Sequence, residues 1–276
     1  MSHSVPELTS PRSPRVAAVK RLHSSRGRRD SHLFLAEGPQ SVREALSRPG
    51  VVDEVFLSVT ATPACRELAD SSEAVTLVSD EVLAAMGETQ VPQGIIAVCN
   101  WIDRPIDEVL KAGVSMVVVV DGVGDPGNLG TIIRTAHAAG ADGLVLTQDS
   151  VDPHNGKCVR STAGSLFHLP IALGADAEQI ASLSAFAGIS LAATAANGDV
   201  GLYELVSRNN RPPLAWILGS EAHGVSPELR AVSDVTVSIP MFGGAESLNV
   251  GSAAAICLYS DAAARHGLMT AVITPS

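Results

Sequence analysis

The run Met116-Val-Val-Val-Val120 constrains this chain more than any other feature. Consecutive β-branched residues favour a strand, and a strand apolar on both sides must be covered on both faces. Such strands belong to parallel sheets with helices packed on them, so the run predicts an α/β fold. The sequence around it agrees. Gly143 to Thr147, Ile189 to Thr194, Leu214 to Leu218 and Val235 to Ile239 read as further strands. Helical periodicity covers Leu129 to Ala139, stopped by Gly140, then residues 176 to 187, and Leu248 to Arg265.

Upstream, helices and strands alternate in a shorter rhythm. Gln40 to Ser47, Pro63 to Ala69 and Glu81 to Met86 read as helices. Val52 to Val59, Ala74 to Val78 and Gly94 to Cys99 read as strands, which suggests a second, smaller α/β domain. Residues 1 to 30 are rich in Ser, Pro and Arg. They read as a basic, flexible arm running into a first helix near Val16 to Leu22. The division expected is an arm over 1–30, a small domain over 31–104, a linker over 105–114, and a larger domain over 115–276 that ends in a tail from Met269.

Composition narrows the function classes. Apolar residues make up 46% and charged residues 17% of the 276, which excludes wholesale disorder. The apolar runs are far shorter than the roughly 20 residues a membrane-spanning helix needs. Aromatics at 3% argue against stacking platforms for single strands. The four cysteines (Cys65, Cys99, Cys158, Cys257) form no C-x-x-C pair, so a zinc ribbon is not expected. Scattered thiols and the absence of an apolar signal core predict a cytoplasmic protein. The net charge of −10 speaks against a nucleic-acid partner on average, yet the first 48 residues carry nine Lys and Arg against four acids. That segment is +5 and the remainder −15. A basic segment on an acidic body is either a phosphate-binding footprint or a solubilising tail.

Three glycine-rich junctions carry the chemistry. The first is Asp121-Gly-Val-Gly-Asp-Pro-Gly-Asn-Leu-Gly130, leading to Arg134. Gly122-x-Gly124-x-x-Gly127 formally matches a dinucleotide fingerprint, with Asp149 as the ribose acid. Against that reading, Pro126 interrupts the motif and Asn128 looks like a helix cap. Arg134 lies about 9 Å along the helix from Asn128, and its side chain leans back toward it. The second junction is Gly219-Ser-Glu221-Ala-His223-Gly224-Val-Ser226-Pro227, in which Ser226 can cap a helix begun by Pro227. Glu221 suits ligand contact or loop ordering, and His223 is a candidate acid or base. The third is Ile239-Pro-Met241 through Glu246-Ser247-Leu-Asn249-Val250, with Ser247 and Asn249 as caps or polar site residues of a small-residue helix.

In this order, these junctions resemble the SpoU-type RNA 2′-O-ribose methyltransferases of the trefoil-knot (SPOUT) class. Asn128-x-Gly130-x-x-x-Arg134-x-Ala136 looks like the first family motif, Leu218-Gly-Ser-Glu221-x-x-Gly224 the second, and Ile239-Pro-Met241 through Ser247-Leu-Asn-Val250 the third. Val159-Arg160-Ser161-x-x-Gly164 is similar to a stretch between the first two. Phe34-Leu-Ala-Glu37-Gly38 resembles the family's small substrate-binding domain, of the kind related to ribosomal protein L30e. One departure is Gly251, where the family commonly has Ser or an Ala-like residue.

The resemblance implies a knotted C-terminal domain with a mostly parallel sheet behind a small L30e-like α/β domain. It implies S-adenosylmethionine as cofactor, no metal, a homodimer, and 23S ribosomal RNA as substrate, in a subgroup that includes thiopeptide-resistance enzymes. The implied catalytic residues are Asn128, Arg134, Glu221, Ser247 and Asn249. The cofactor would lie against Thr194, Ala195, Leu218, Gly219, Ile239, Met241, Ser247 and Leu248. RNA would meet Arg26, Arg28, Arg29, Lys157 and Arg160. Two other readings stand beside it: a non-catalytic knotted RNA-binding protein, and a dinucleotide-dependent oxidoreductase.

Overall fold

A computed structural model describes residues 7–268, which form two compact units. The first six residues of the expected arm, and the expected tail from Met269, lie outside the described residues.

The first unit runs to Ile102 and also takes in Asp152–Phe167. Its elements are α1 (Pro14–Arg21), α2 (Ser25–Ser31), β1 (Leu33–Glu37), α3 (Gly38–Leu46), β2 (Val52–Ser58), α4 (Pro63–Ala69), β3 (Val75–Val78), α5 (Asp80–Met86) and β4 (Ile95–Asn100). The four strands form a sheet in the order β1-β4-β2-β3. β4 is antiparallel to both neighbours, with Leu33 opposite Asn100, and β2 runs parallel to β3.

The structure corrects the reading of residues 1–30 as a flexible arm. From Pro14 onward the segment is helical. Ser13 caps α1 by accepting the Val16 N–H, and Ser24 caps α2 by accepting that of Gly27. Val16, Val19 and Leu22 recur on one helical face and are buried with Phe56, Val82, Met86 and Ile96. The first helix expected near Val16 to Leu22 is therefore present, but it is packed into the unit rather than carried at the end of a loose arm.

Arg28 is the second correction. Instead of facing solvent for RNA, it is 2% exposed. Its Nε donates to Asp152 Oδ2 at 2.8 Å, and its Nη1 donates to the Leu22 and His23 carbonyls at 2.8 and 3.1 Å. A buried guanidinium satisfied in this way ties the end of α1 and the start of α2 to a distant segment.

That segment moves the expected domain boundaries. Residues 152–167 hold α8 (Gly156–Ser161) and a 3₁₀ turn (Ser165–Phe167). Phe34 packs on His154 and Phe167, with ring centroids 4.7 and 6.0 Å away. The buried Glu37 carboxylate accepts from Arg160 at 3.2 Å and from the backbone N–H groups of Glu88 and Thr89. Contacts across more than a hundred residues leave no local trace, so the sequence reading assigned this stretch by its chain position.

The second unit begins at Asp103. Its elements are α6 (Ile106–Val109), β5 (Met116–Asp121), α7 (Pro126–Ala138), β6 (Gly143–Thr147), β7 (Ile171–Ala175), α9 (Ala177–Ala187), β8 (Ser190–Thr194), β9 (Val200–Gly201), α10 (Leu202–Ser207), β10 (Leu214–Gly219), α11 (Pro227–Ala231), β11 (Val235–Ser238) and α12 (Val250–Arg265). The expected linker is thus part of this unit: Val109 and Leu110 are in its core, and the Arg104 N–H donates to Ile171 at 2.7 Å.

The seven strands are all parallel, in the order β7-β6-β5-β10-β8-β11-β9. β5 lies inside the sheet with all six residues buried, as its apolar run requires. β10 sits between β5 and β8, and β11 between β8 and β9, so the later strands enter the sheet out of chain order. Behind β10, Trp216 is fully buried and donates its indole N–H to Asp261 Oδ2 at 2.8 Å. Arg211 and Arg265 neutralise that buried carboxylate.

The Asp152 carboxyl gives acid stability a measurable handle. Burial pushes it upward, but hydrogen bonding from His154 and the charge of Arg28 outweigh burial and hold it at about 2. A free Asp titrates near ~3.9. The stabilisation is therefore present above that value and is lost as pH falls from about 4 toward 2. Asp152→Asn should lower the urea midpoint at pH 7 and flatten its fall below about pH 4. An unchanged acid limb in the variant would contradict this assignment.

Candidate active site

The site grows from the carboxyl ends of β5 and β10, which the parallel register sets side by side with Gly219 opposite Asp121. Ligand sites in open α/β sheets gather at such ends. The buried Asp121 carboxylate links the end of β6 to the loop before α11: Oδ1 accepts from Thr147 Oγ1 at 3.1 Å, and Oδ2 from the Ser226 N–H at 2.7 Å. Ser226 in turn caps α11, with Pro227 at its first position.

Between Gly219 and Ser226 the chain makes a tight turn, closed by Gly224 N–H donating to the Ser220 carbonyl at 2.8 Å. The turn folds back onto the strand end so closely that a Cβ at Gly219 would lie 2.0 Å from the Gly224 carbonyl carbon. Gly224 itself has φ +68°, the left-handed region that favours glycine.

Glu221 projects from this turn and joins all three sequence junctions. Its Oε1 accepts from Asn128 Nδ2 at 2.5 Å and from Asn249 Nδ2 at 3.2 Å. Asn249 Nδ2 also donates to Asn128 Oδ1 at 3.1 Å. The other end of the Asn249 amide caps α12, its Oδ1 accepting from Gly251 and Ser252. One side chain thus serves both the helix start and the polar cluster. Gly251 has its own role, since a Cβ there would meet the Thr131 side chain of α7 at 3.0 Å. Glycine lets α12 lie close against α7.

Asn128 is not the cap of α7 that the sequence suggested. Asp125 is the cap, accepting from the Asn128 N–H at 2.9 Å, and Asn128 stands inside the first turn. This also removes the dinucleotide reading. The acid Asp125 occupies the helix start where a pyrophosphate would have to sit, and carboxylate and phosphate repel.

Next to this cluster is a cavity of about 360 Å³. Thr194, Ala195, Leu218, Gly219, Ile239, Met241, Ser247 and Leu248 all line it. Thr194 is fixed by donating to the Ile217 carbonyl at 2.9 Å, and the Ala195 N–H donates to Val237. Glu221 and His223 also reach the cavity, as do Arg230 and Glu246, neither of which the sequence reading selected. No spacing signal marks them, because a loop and a one-turn helix bring them to the wall.

Arg134 stands apart. It is exposed on α7, does not line the cavity, and makes no hydrogen bond or ion pair among the described residues. In particular it does not meet Glu221, a contact the resemblance had offered. Ser247 is exposed and lies outside α12, so it is not that helix's cap. The basic candidates belong to the first unit. Arg26 and Arg29 are exposed on α2, Lys157 is exposed on α8, and Arg160 is half-buried between Glu37 and Glu88.

Comparisons with known proteins agree with this geometry. The sequence pattern of the SpoU rRNA Methylase family matches residues 115–259, and that of the MRM3-like substrate binding domain matches residues 13–97. A 23S rRNA guanosine 2′-O-methyltransferase of Bacillus subtilis is 35% identical over 92% of this chain and 98% of its own. The AdoMet-bound rRNA methyltransferase of Sinorhizobium meliloti superposes with a TM-score of 0.83 at 30% identity, covering 95% of this chain and 98% of that one. The SpoU methyltransferase AviRb of Streptomyces viridochromogenes, in complex with AdoMet, gives 0.84 at 28% identity, covering 92% and 99%.

The close approach at Gly219 predicts a steric cost. Gly219→Ala should force the 220–224 turn off the strand end and destabilise the protein by about 1–3 kcal/mol in urea unfolding. Gly243→Ala, at a position with open space around it, is the control and should change little.

Proposed function

The chain belongs to the SpoU rRNA methylase family, and on that premise we propose that it methylates a ribose 2′-hydroxyl of 23S ribosomal RNA. It is an S-adenosylmethionine-dependent methyltransferase. The observation that carries the reading is the hydrogen-bonded trio Asn128, Glu221 and Asn249, built beside the cavity from three separate junctions.

The cavity residues fit the cofactor. Its volume is within the range of about 300–1,000 Å³ usual for small-molecule sites. Leu218, Val237, Ile239 and Leu248 offer apolar walls for a base, and Glu221 and Glu246 are anions suited to a cationic ligand. When bound, S-adenosylmethionine supplies an electrophilic methyl group on sulfonium. The protein's task is to orient the attacking hydroxyl and let its proton leave.

Asn128 and Asn249, immobilised through Glu221, orient the ribose. Ser247 offers a further hydroxyl at the cavity edge. A guanidinium offers a planar fork of donors that matches a phosphate, so we assign Arg134 grip on the RNA phosphate next to the reacting ribose. The out-of-order strands β8, β10 and β11 are read as the threaded part of a trefoil knot. The working form is read as a cytoplasmic homodimer.

Methyl transfer from labelled S-adenosylmethionine to unmodified ribosomal RNA, followed by nucleoside analysis, tests the reading. We expect a 2′-O-methylated nucleoside, and a loss of at least ~100-fold in kcat/KM for Arg134→Ala. Cofactor binding without transfer to ribosomal RNA, transfer RNA or assembled subunits would favour a non-catalytic RNA-binding protein.

Arg26, Arg29 and Lys157 are assigned to the RNA backbone, and Arg28 to structure. Replacing Arg26 and Arg29 together by Ala should weaken RNA binding and reduce the salt slope by roughly 0.7–0.9 per lost phosphate contact. Cofactor affinity should stay the same. An unaltered slope would remove these residues from the interface.

A further inference from the structure

Among the described residues, four charged or titratable side chains line the cavity: Glu221, His223, Arg230 and Glu246. Glu221 is already engaged by Asn128 and Asn249. Arg230 and Glu246 are not engaged. Neither side chain makes a hydrogen bond or ion pair among the described residues, and both are exposed at the cavity wall. Arg230 is placed there by α11, whose preceding residue Leu229 is buried in the core. Among the described residues, no other Lys or Arg lines the cavity.

S-adenosylmethionine carries a single anionic group, the carboxylate of its amino-acid end, beside an ammonium group. The rest of the wall is apolar, acidic or polar without a fixed positive charge (Thr194, Ser220, His223, Ser247), so among the described residues Arg230 is its one guanidinium for a carboxylate. One unpaired guanidinium and one unpaired carboxylate on the wall complement that zwitterion. We propose that Arg230 holds the carboxylate and Glu246 the ammonium of the cofactor's amino-acid end. The inference rests on the cofactor reading above, and it extends the site to Arg230, outside the three junctions, and to Glu246, which the third junction contains without a role.

Two thioether ligands separate this role from a general one. S-adenosylhomocysteine has the full amino-acid end. 5′-Methylthioadenosine keeps the adenosine and the sulfur but lacks that end. Neither carries a sulfonium charge, so attraction between acids and sulfonium does not enter. Calorimetric titration of the full chain with Arg230→Gln should show about fivefold weaker binding of S-adenosylhomocysteine and unchanged binding of 5′-methylthioadenosine. Arg230→Lys should recover part of the loss, because it restores the charge but not the planar fork. Glu246→Gln should give the same ligand-selective loss.

Thermal melting of each variant at the wild-type midpoint secures folding, which the exposure of both side chains leads us to expect. Equal weakening of both ligands, or no weakening of S-adenosylhomocysteine, would overturn the proposal and leave the cofactor reading standing. A wild-type protein that binds neither ligand would overturn the cofactor reading and this proposal with it.

Discussion

The site depends on one carboxylate oxygen. Glu221 Oε1 receives the amides of Asn128 and Asn249, which come from strand-to-helix junctions separated by over a hundred residues. Each of those amides can hold its orientation only because the other partners are in place. Asn249 is the most constrained, since its carbonyl end starts α12 while its amino end faces the cluster. A charged acceptor makes these hydrogen bonds stronger than neutral ones. Glu221 is positioned in turn by a backbone that only glycine permits at 219. Steric exclusion at one Cα thus sets where the carboxylate stands, and the carboxylate sets where two helix starts meet.

The parts of this arrangement that were legible in the sequence are those with local causes. Val117 to Val120 announced a doubly covered strand because β-branching and unbroken apolarity have few other uses. Ser226-Pro227 announced a helix start because capping chemistry acts over three residues. Asn128 misled for the same reason: Asp125 has equal capping chemistry three residues earlier, and no local rule ranks one above the other. Arg230 was invisible, and Glu246 stood in the third junction without a role, since both reach the cavity wall through tertiary placement.

Charge was the least legible property. The basic excess near the amino end suggested a single loose ribbon of cations, yet the structure divides it. Arg28 is withdrawn to bind Asp152 and two carbonyls, whereas Arg26 and Arg29, on the same short helix, face water. The residue types are identical and only burial distinguishes them. The Arg28 partner belongs to a segment that chain position assigns elsewhere, and no count of nearby acids would have found it. Segment 152–167 follows the same logic, because Phe34 and Glu37 recruit it through ring packing and a buried carboxylate rather than through sequence proximity.

The net charge of −10 then loses its apparent conflict with an RNA substrate. What an approaching phosphate feels is set within about a Debye length, roughly 8–10 Å at ordinary salt, and not by the sum over the chain. Acids at the cavity wall suit a cofactor that carries a positive sulfonium, and they would be costly beside a phosphate backbone. Exposed arginines on α2 suit the backbone and would be costly beside the sulfonium. A protein that must bind a cation and a polyanion in one reaction gains from keeping those two sets of charges on different elements, with Arg230 at the wall reserved in our proposal for the cofactor's carboxylate. Arg134, exposed on α7 and absent from the cavity wall, fits the same rule under its proposed role, since a charge there would meet the polyanion without opposing the cation.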